Sequence, residues 1–261
     1  MEDYYESDKG ITEYLLFHYG NAGDIFDFDA FHFPEFTKYP TRCIEHCYAE
    51  LKQPEGTTSA VSPTGKRALD LGCAVGASTF ELCRYHDEVI GIDYSHGFIK
   101  TANALKESGH VRCSIAVEGN QKKNFLAKVD ESIDKSKAQF LQGDACQLDT
   151  SIGQFDTIFA GNLIDRLPKP KHFLQSLAQF CKKGGIVIIT SPYTWLEEYS
   201  PESEWICKEG NPHVDTFTGL RQELEPHFEL IENKNLPFVL REHRRKFQLT
   251  FAHATIWRKL K

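Results

Sequence analysis

The ten residues Leu69 to Ser78, LDLGCAVGAS, decide how the chain folds. The apolar, β-prone run from Arg67 to Leu71 predicts a strand, Gly72 to Gly76 a tight turn, and the helical spacing from Ser78 to Tyr85 a helix start. Gly72 and Gly76 allow backbone angles and close approaches that a side chain would block, and the helix behind such a turn directs free N–H groups at whatever lies above it. This predicts a seat for an anionic or polar ligand end.

The strands expected beside it end in acids. VIGID (Val89 to Asp93) closes with Asp93, 23 residues after Asp70. At that spacing a carboxylate on the adjacent parallel strand accepts the hydroxyl protons of a ribose, although a helix N-cap is a plainer role open to it. AQFLQGDA (Ala138 to Ala145) brings in Asp144, and FDTIFAGN (Phe155 to Asn162) ends in a small polar cluster. Four strand ends converge on one side of an α/β sheet.

The acidic strand end at Asp70, the G-x-A-x-G turn, the second-strand acid, the G-D-A of residues 143–145 and the F-D-x-I-x-A-x-N of residues 155–162 resemble a class I S-adenosylmethionine (SAM) methyltransferase. Ala74 stands where the commonest form of the turn has its middle glycine. Tyr4 to Gly20, Ser191 to Pro201 and Arg241 to Lys259 extend the likeness over nearly the whole chain, to the methyltransferase of ovothiol biosynthesis, which acts on 5-thiohistidine (4-mercaptohistidine). The resemblance implies a Rossmann-like seven-stranded, mostly parallel sheet with helices on both faces and an N-terminal lid. It implies SAM as cofactor and S-adenosyl-L-homocysteine as product. It also implies a functional link to an iron-dependent 5-histidylcysteine sulfoxide synthase, which in related proteins often forms the N-terminal part of the same chain. With no His-x-x-x-His pair for that iron in this sequence, a stand-alone or excised methyltransferase is expected.

The resemblance carries over residue by residue. Arg42 resembles the arginine that binds the SAM carboxylate, with a surface salt bridge as the alternative. Asp70, Gly72, Cys73, Ala74 and Gly76 supply the turn, Asp93 and Tyr94 the ribose side, Asp144 and Ala145 the adenine contacts, and Asn162 and Leu163 the wall along the methionine part. For the acceptor, Tyr4, Tyr5 and Tyr14 of the lid, Asn162, Tyr193 and Trp195 are candidates, with Arg241 or Arg244 pairing a substrate carboxylate. Tyr193, Glu197, Glu198 or a lid tyrosine could fix the acceptor tautomer, and His243 could orient the acceptor or act as base. Asp165 and Arg166 are expected only to pair with each other. Histidine or a related amine is the alternative acceptor, and a SAM-binding protein without catalysis the alternative class.

Composition sets the outer bounds. A chain of 261 residues, 41% hydrophobic and 26% charged, suits one globular domain. We expect residues 1–60 to form the lid and helices, and 61–261 the core, with insertions near 109–137 and 192–215. The net charge of −7, from 30 basic and 37 acidic residues, argues against a nucleic-acid partner. No apolar run approaches the ~20 residues that cross a bilayer, and the acidic, aromatic N-terminus is unlike a signal peptide. A cytoplasmic monomer or homodimer off the membrane is expected. Eight scattered cysteines without a C-x-x-C pair read as reduced thiols. Cys43 and Cys47 give two ligands, too few for a tetrahedral site, so no metal is expected.

Elsewhere the pattern is coarser. Residues 21–40 read as a buried aromatic loop, Thr41 to Leu51 as a helix, 52–65 as a loop, and His96 to Lys106 as a helix. The alternating Val111 to Val117 reads as an extra edge strand and Asn124 to Ser136 as a charged helical stretch. Phe173 to Phe180 is a helix closed by Lys182 to Gly185, GIVIITS a fifth strand, and Thr216 to Leu224 a helix. Phe228 to Leu236 and Phe247 to Trp257 are late strands, the last antiparallel, joined by a basic connection from Pro237 to Lys246.

Overall fold

A computed structural model of the protein describes residues 4–28, 33–51, 65–210 and 213–260. A 3-10 turn at Tyr4–Glu6 leads to α1 (Asp8–Tyr19), α2 (Ala22–Ile25) and α3 (Tyr39–Leu51). The core then runs β1 (Arg67–Leu71), α4 (Ala77–Leu82), β2 (Glu88–Asp93), α5 (His96–Ser108), β3 (His110–Glu118), β4 (Gln121–Lys128), β5 (Ala138–Gln142) and β6 (Phe155–Gly161). It closes with α6 (Pro170–Phe180), β7 (Cys181–Ser191), α7 (Thr216–Leu224), β8 (Phe228–His243) and β9 (Lys246–Lys259).

Seven strands form one sheet in the order β5-β2-β1-β6-β7-β9-β8, with β9 antiparallel to both neighbours and the pairs from β5 to β7 parallel. The central parallel strands are mostly apolar because both faces are covered. Phe80, Phe98 and Ile44 pack on one face with α1, α3, α4 and α5, while Phe173, Leu177, Leu220 and the fully buried Trp257 pack on the other with α6 and α7. The capping is local chemistry: Ser95 Oγ accepts the Phe98 N–H at 3.0 Å to start α5, and Gly109 ends it at φ +78°.

Four expectations change. Residues 124–136 are no helix: β4 pairs with β3 as a separate antiparallel hairpin, which packs on α1 and β8 instead of standing free. The basic connection from Pro237 to Lys246 is itself strand, extending β8 and β9 into a two-stranded arm past Ser191, where β7 ends opposite His253. Lys182 to Gly185 belong to the opening of β7. Residues 21–40 include α2 and a 3-10 turn at Pro34–Phe36. Save for Gly65, the expected loop over 52–65 lies outside the described residues.

Candidate active site at the carboxyl edge of the sheet

The crevice opens where the strand order reverses, between β1 and β6, the position at which doubly wound sheets bind ligands. The turn after β1 is wound through positive φ at Gly72 (+72°), Ala74 (+45°) and Gly76 (+88°). Glycine takes these angles freely and alanine only under strain, so neighbouring bonds must hold Ala74 there. The Gly72 and Cys73 N–H groups donate to Ile92 O at 2.8 and 3.1 Å, and the Ala74 N–H donates to Asp93 Oδ2 at 2.9 Å. The Asp93 carboxylate therefore faces the turn, its other oxygen accepting the Ser95 N–H at 2.9 Å, and burial pushes its pKa up.

Asn162 (φ +50°) and Tyr193 (φ +57°) stand at the ends of β6 and β7. Three of the four non-glycine residues with positive φ among the described residues thus share one edge, as expected where a site over-determines its backbone. Asn162 Oδ1 accepts the Tyr39 and Thr190 hydroxyls, both at 3.1 Å. Leu163 closes the turn from this side, since a Cβ on Gly72 would come within 2.9 Å of its Cδ1. Beyond Asp93, the Tyr94 side chain is 69% exposed, and the Gly143 N–H on Asp93 O (3.0 Å) brings the Asp144–Ala145 loop alongside.

The helix end behind the turn is taken from within. Asp70 is fully buried, and its Oδ2 accepts the Ser78 and Thr79 hydroxyls at 2.7 and 2.6 Å. His18 Nδ1 accepts the Ala77 N–H at 3.4 Å. Burial pushes the Asp70 carboxyl up to about 6 and the His18 imidazole down to about 3. The start of α4 is thus met by a carboxylate and a neutral imidazole of the protein itself. Asp70 and the buried Cys73 side chain support the turn from below; they do not reach into the crevice.

Over the edge lies a mouth of aromatic rings. Glu6 accepts the N–H groups of His96 and Gly97 at 2.9 and 3.1 Å, which lays the first residues across the start of α5. Tyr5 packs edge-on against Tyr4, Tyr14 and Phe98 and tilts against Tyr199, with ring centroids 5.4 to 6.3 Å apart. The Tyr4 hydroxyl donates to Glu13. Burial raises the Tyr14 pKa, and the charges of Asp93 and Arg166 both reach its hydroxyl. Arg166 lies 4.9 Å from the Tyr199 ring centre and donates to Thr194 O at 2.7 Å and to Asp165 Oδ2 at 3.1 Å. Asp165 is in turn fixed by the Ser191 hydroxyl and the Thr194 N–H, both at 3.0 Å. A cavity of about 500 Å³ bounded by α1, α3 and α4 has His18, Arg42, Ala77 and Phe80 in its wall and none of Asp93, Asp144, Asn162 or Arg166.

Residues 63–230 match the methyltransferase domain family. The chain belongs to that family. It is 28% identical over 137 residues to phosphatidylethanolamine N-methyltransferase of Cereibacter sphaeroides, covering 52% of this chain and 56% of the relative. It is 29% identical over 156 residues to demethylmenaquinone methyltransferase of Lactococcus lactis subsp. lactis (strain IL1403), covering 58% and 52%. The chain spans about half the length of the curated relatives it matches. Among solved structures, the N-methyltransferase NodS of Bradyrhizobium japonicum WM9, in complex with S-adenosyl-L-homocysteine, shares the fold at TM-score 0.51 and 15% identity, over 84% of this chain and 87% of NodS.

This is a methyltransferase domain, and its crevice has features that would suit SAM. Gly72 lets the turn pass close against Leu163, the Asp93 carboxylate stands beside the turn, and the exposed Tyr94 ring and the Asp144–Ala145 loop flank it. Among the described residues no group of three or more His, Cys, Asp or Glu could hold a metal, and no helix is long and apolar enough to cross a membrane.

Several expected site residues of the methyltransferase lie elsewhere. Arg42 donates to Thr37 O (2.7 Å) and Pro237 O (2.6 Å), tying α3 to β8. Arg241 is buried, donating to Asp24 O, Ile25 O, Ala116 O and Asp27 Oδ2 at 2.7 to 3.3 Å, so its guanidinium clamps the segment after α1 to the β3–β4 hairpin and offers no fork to a substrate. Arg244 covers the Phe28 ring at 5.1 Å, and His243 Nδ1 accepts the Arg245 N–H at 3.3 Å in the turn at the arm's tip. Phe238 packs on Phe17 of α1 and on Tyr39, which puts α1 between this arm and the crevice. Trp195, an acceptor candidate, donates to Thr216 Oγ1 at 3.0 Å and packs beside Trp205. Glu197 is exposed, next to Glu198 in the turn after it.

Three residues at the mouth were missed or dismissed. From the sequence Arg166 is expected only to pair with Asp165, and Tyr199 is one more ring in an acidic aromatic run. His253, in the alternating strand FAHATIW, meets the Tyr193 hydroxyl at 2.7 Å. Sixty residues separate the last two, so no local pattern could have joined them.

Proposed function

We propose that the protein methylates a small imidazole amino acid, 5-thiohistidine, on the ring nitrogen beside the side-chain carbon, giving ovothiol. It would act in the cytoplasm on the product of a route begun by an iron-dependent sulfoxide synthase. The observation that carries the reading is Arg166: a guanidinium held by the buried Asp165, still a quarter exposed, in a tyrosine-walled mouth beside Asp93. A planar fork in that setting suits an amino-acid carboxylate, and the rings suit a flat imidazole. The likeness of residues 4–20 and 191–201 to the ovothiol enzymes supports it, since both segments build this mouth. The curated relatives are named for other acceptors, and their names say nothing against a small one.

SAM would supply a methyl group on a positively charged sulfur, which leaves as the thioether of S-adenosyl-L-homocysteine when a nitrogen lone pair takes the methyl in line. The protein's part is placement, which can supply roughly 7 to 11 kcal/mol of a barrier. Asp93 would bind the ribose hydroxyls, Tyr94 and the Asp144–Ala145 loop would hold the adenine, and Gly72, Ala74 and Leu163 would line the methionine chain. Arg166 would hold the acceptor carboxylate, Tyr5, Tyr14 and Tyr199 would exclude water, and the Asn162 amide, its oxygen taken by Tyr39 and Thr190, would have its N–H groups to offer the ligand. The assay is purified protein with SAM and either 5-thiohistidine or histidine, read by mass spectrometry. Ring-methylated 5-thiohistidine is expected; its absence rejects the acceptor.

A further inference from the structure

Tyr193, His253 and Asn233 come from the loop after β7, from β9 and from β8, and they form one hydrogen-bonded line. His253 Nε2 lies 3.0 Å from Asn233 Oδ1 and His253 Nδ1 lies 2.7 Å from the Tyr193 oxygen. A carbonyl oxygen only accepts, so the proton of a neutral His253 sits on Nε2, and the Nδ1 lone pair takes the Tyr193 hydroxyl proton as its hydrogen bond. Both rings are held. The Phe217 ring packs edge-on at 4.8 Å from His253, and the Tyr193 N–H donates at 3.0 Å to Ser191 Oγ, which itself donates to Asp165 Oδ1. The line therefore begins in the network that fixes Arg166 and ends at the outer strand. Tyr193 also carries φ +57°, a strain that packing alone gives no reason to keep.

We propose that this line is the proton outlet of the acceptor site, with Tyr193 touching the acceptor and His253 receiving the proton through it. The proposal rests on an imidazole acceptor. When its lone-pair nitrogen gains a methyl group, the ring becomes a cation and its other N–H must lose a proton. That N–H bond breaks toward the Tyr193 oxygen while the Tyr193 hydroxyl proton passes to His253 Nδ1. His253 ends as an imidazolium with Nε2–H still on Asn233 Oδ1, and no electrons change hands. Solvent then removes the proton from the half-buried His253.

The charged groups facing His253 are few. Asp215, the N-cap of α7, is the acid whose charge reaches both it and Tyr193; Asp165 reaches Tyr193, and His213 faces Asp215. Burial lowers the His253 pKa from its ordinary value and Asp215 partly restores it, so the ring is neutral and receptive at pH 7. Protonation as pH falls fills Nδ1 and closes the outlet. Replacing the Asn233 carbonyl with a carboxylate favours the imidazolium and must move that closure to higher pH.

The test measures pH profiles of methyl transfer for the wild-type protein, His253→Gln and Asn233→Asp, and the His253 imidazole titration by NMR in the protein without cofactor. Gln accepts the Tyr193 hydroxyl but takes no proton, so kcat should fall about a hundredfold with SAM affinity and acceptor KM within about twofold, and the acid limb should vanish. Asn233→Asp should shift both the acid limb and the His253 titration upward, and Tyr193→Phe should raise the titration by removing the donor that favours neutral Nδ1. Superimposable profiles, an unmoved titration or full kcat in His253→Gln overturn the relay. The profiles use whichever imidazole the wild-type protein turns over: a preference for histidine sinks the 5-thiohistidine assignment alone, and turnover of neither sinks both.

Discussion

The mouth over β6 and β7 and the arm beyond Ser191 each set an arginine against an acid, and the two do opposite work. Arg241 in the arm has a side chain 1% exposed and serves acceptors on two other segments, the Asp24–Asp27 stretch after α1 and Ala116 in β3. Arg166 in the mouth is 25% exposed, and its acid is satisfied from behind by Ser191 and Thr194. A guanidinium whose partner is pinned by other donors can turn its remaining N–H groups outward. One buried with its terminal nitrogens bonded to three carbonyls and the Asp27 carboxylate cannot. Density of basic residues in the sequence pointed to the arm; the hydrogen-bond partners point to the mouth.

The largest effect that separates them is on stability. Arg241→Ala leaves three carbonyls without this donor and Asp27 with Lys123 alone, and should cost about 3 kcal/mol, seen as a fall in Tm of roughly 6 to 12 °C, with SAM affinity of the folded protein unchanged. An intact Tm with a raised acceptor KM would return Arg241 to the substrate side. Arg166→Lys should do the reverse. It keeps a positive charge beside Asp165 but loses the planar fork, so acceptor KM should rise about tenfold to a hundredfold, equivalent to roughly 1.5 to 3 kcal/mol of charged hydrogen bonding, while Tm and SAM affinity hold. If SAM affinity fell in parallel, the guanidinium would belong to the cofactor.

What could be read from the sequence was local. The turn from Gly72 to Gly76 and the acid at Asp93 follow from residue chemistry within one strand–turn–helix unit and one strand spacing, and both lie where that chemistry puts them. The β3–β4 hairpin was hidden because Leu126 is 45% exposed while Phe125 and Ala127 are buried, so a period-two strand carries three consecutive apolar residues among lysines. The arm was hidden by Pro237, which breaks central strands but is tolerated here because β8 is the edge of the sheet. Arg166 and His253 depend on contacts with residues 28 to 60 positions away, Thr194 and Tyr193, which only the assembled fold supplies.

The same contrast divides the N-terminal segment. Behind α1, Asp24, Ile25 and Asp27 are held by the buried Arg241. In front, Tyr4 to Glu6 are held by the exposed bonds of Glu6 to the His96 and Gly97 N–H groups and by the buried Ser95 hydroxyl, which donates to Tyr5 O at 3.1 Å. A carboxylate on an exposed helix N-terminus contributes about 0.3 to 1 kcal/mol, screened by salt. Glu6→Ala should therefore leave Tm within about 2 °C and instead loosen the cover, with backbone amides near residues 5–10 exchanging several times faster and S-adenosyl-L-homocysteine leaving faster by a similar factor. High salt should reproduce part of this in the wild-type protein and add little in the variant. A loss of Tm as large as that of Arg241→Ala would mean that front and back unfold as one body, and that the tyrosines over Asp93 are part of the core and not a cover the acceptor must pass.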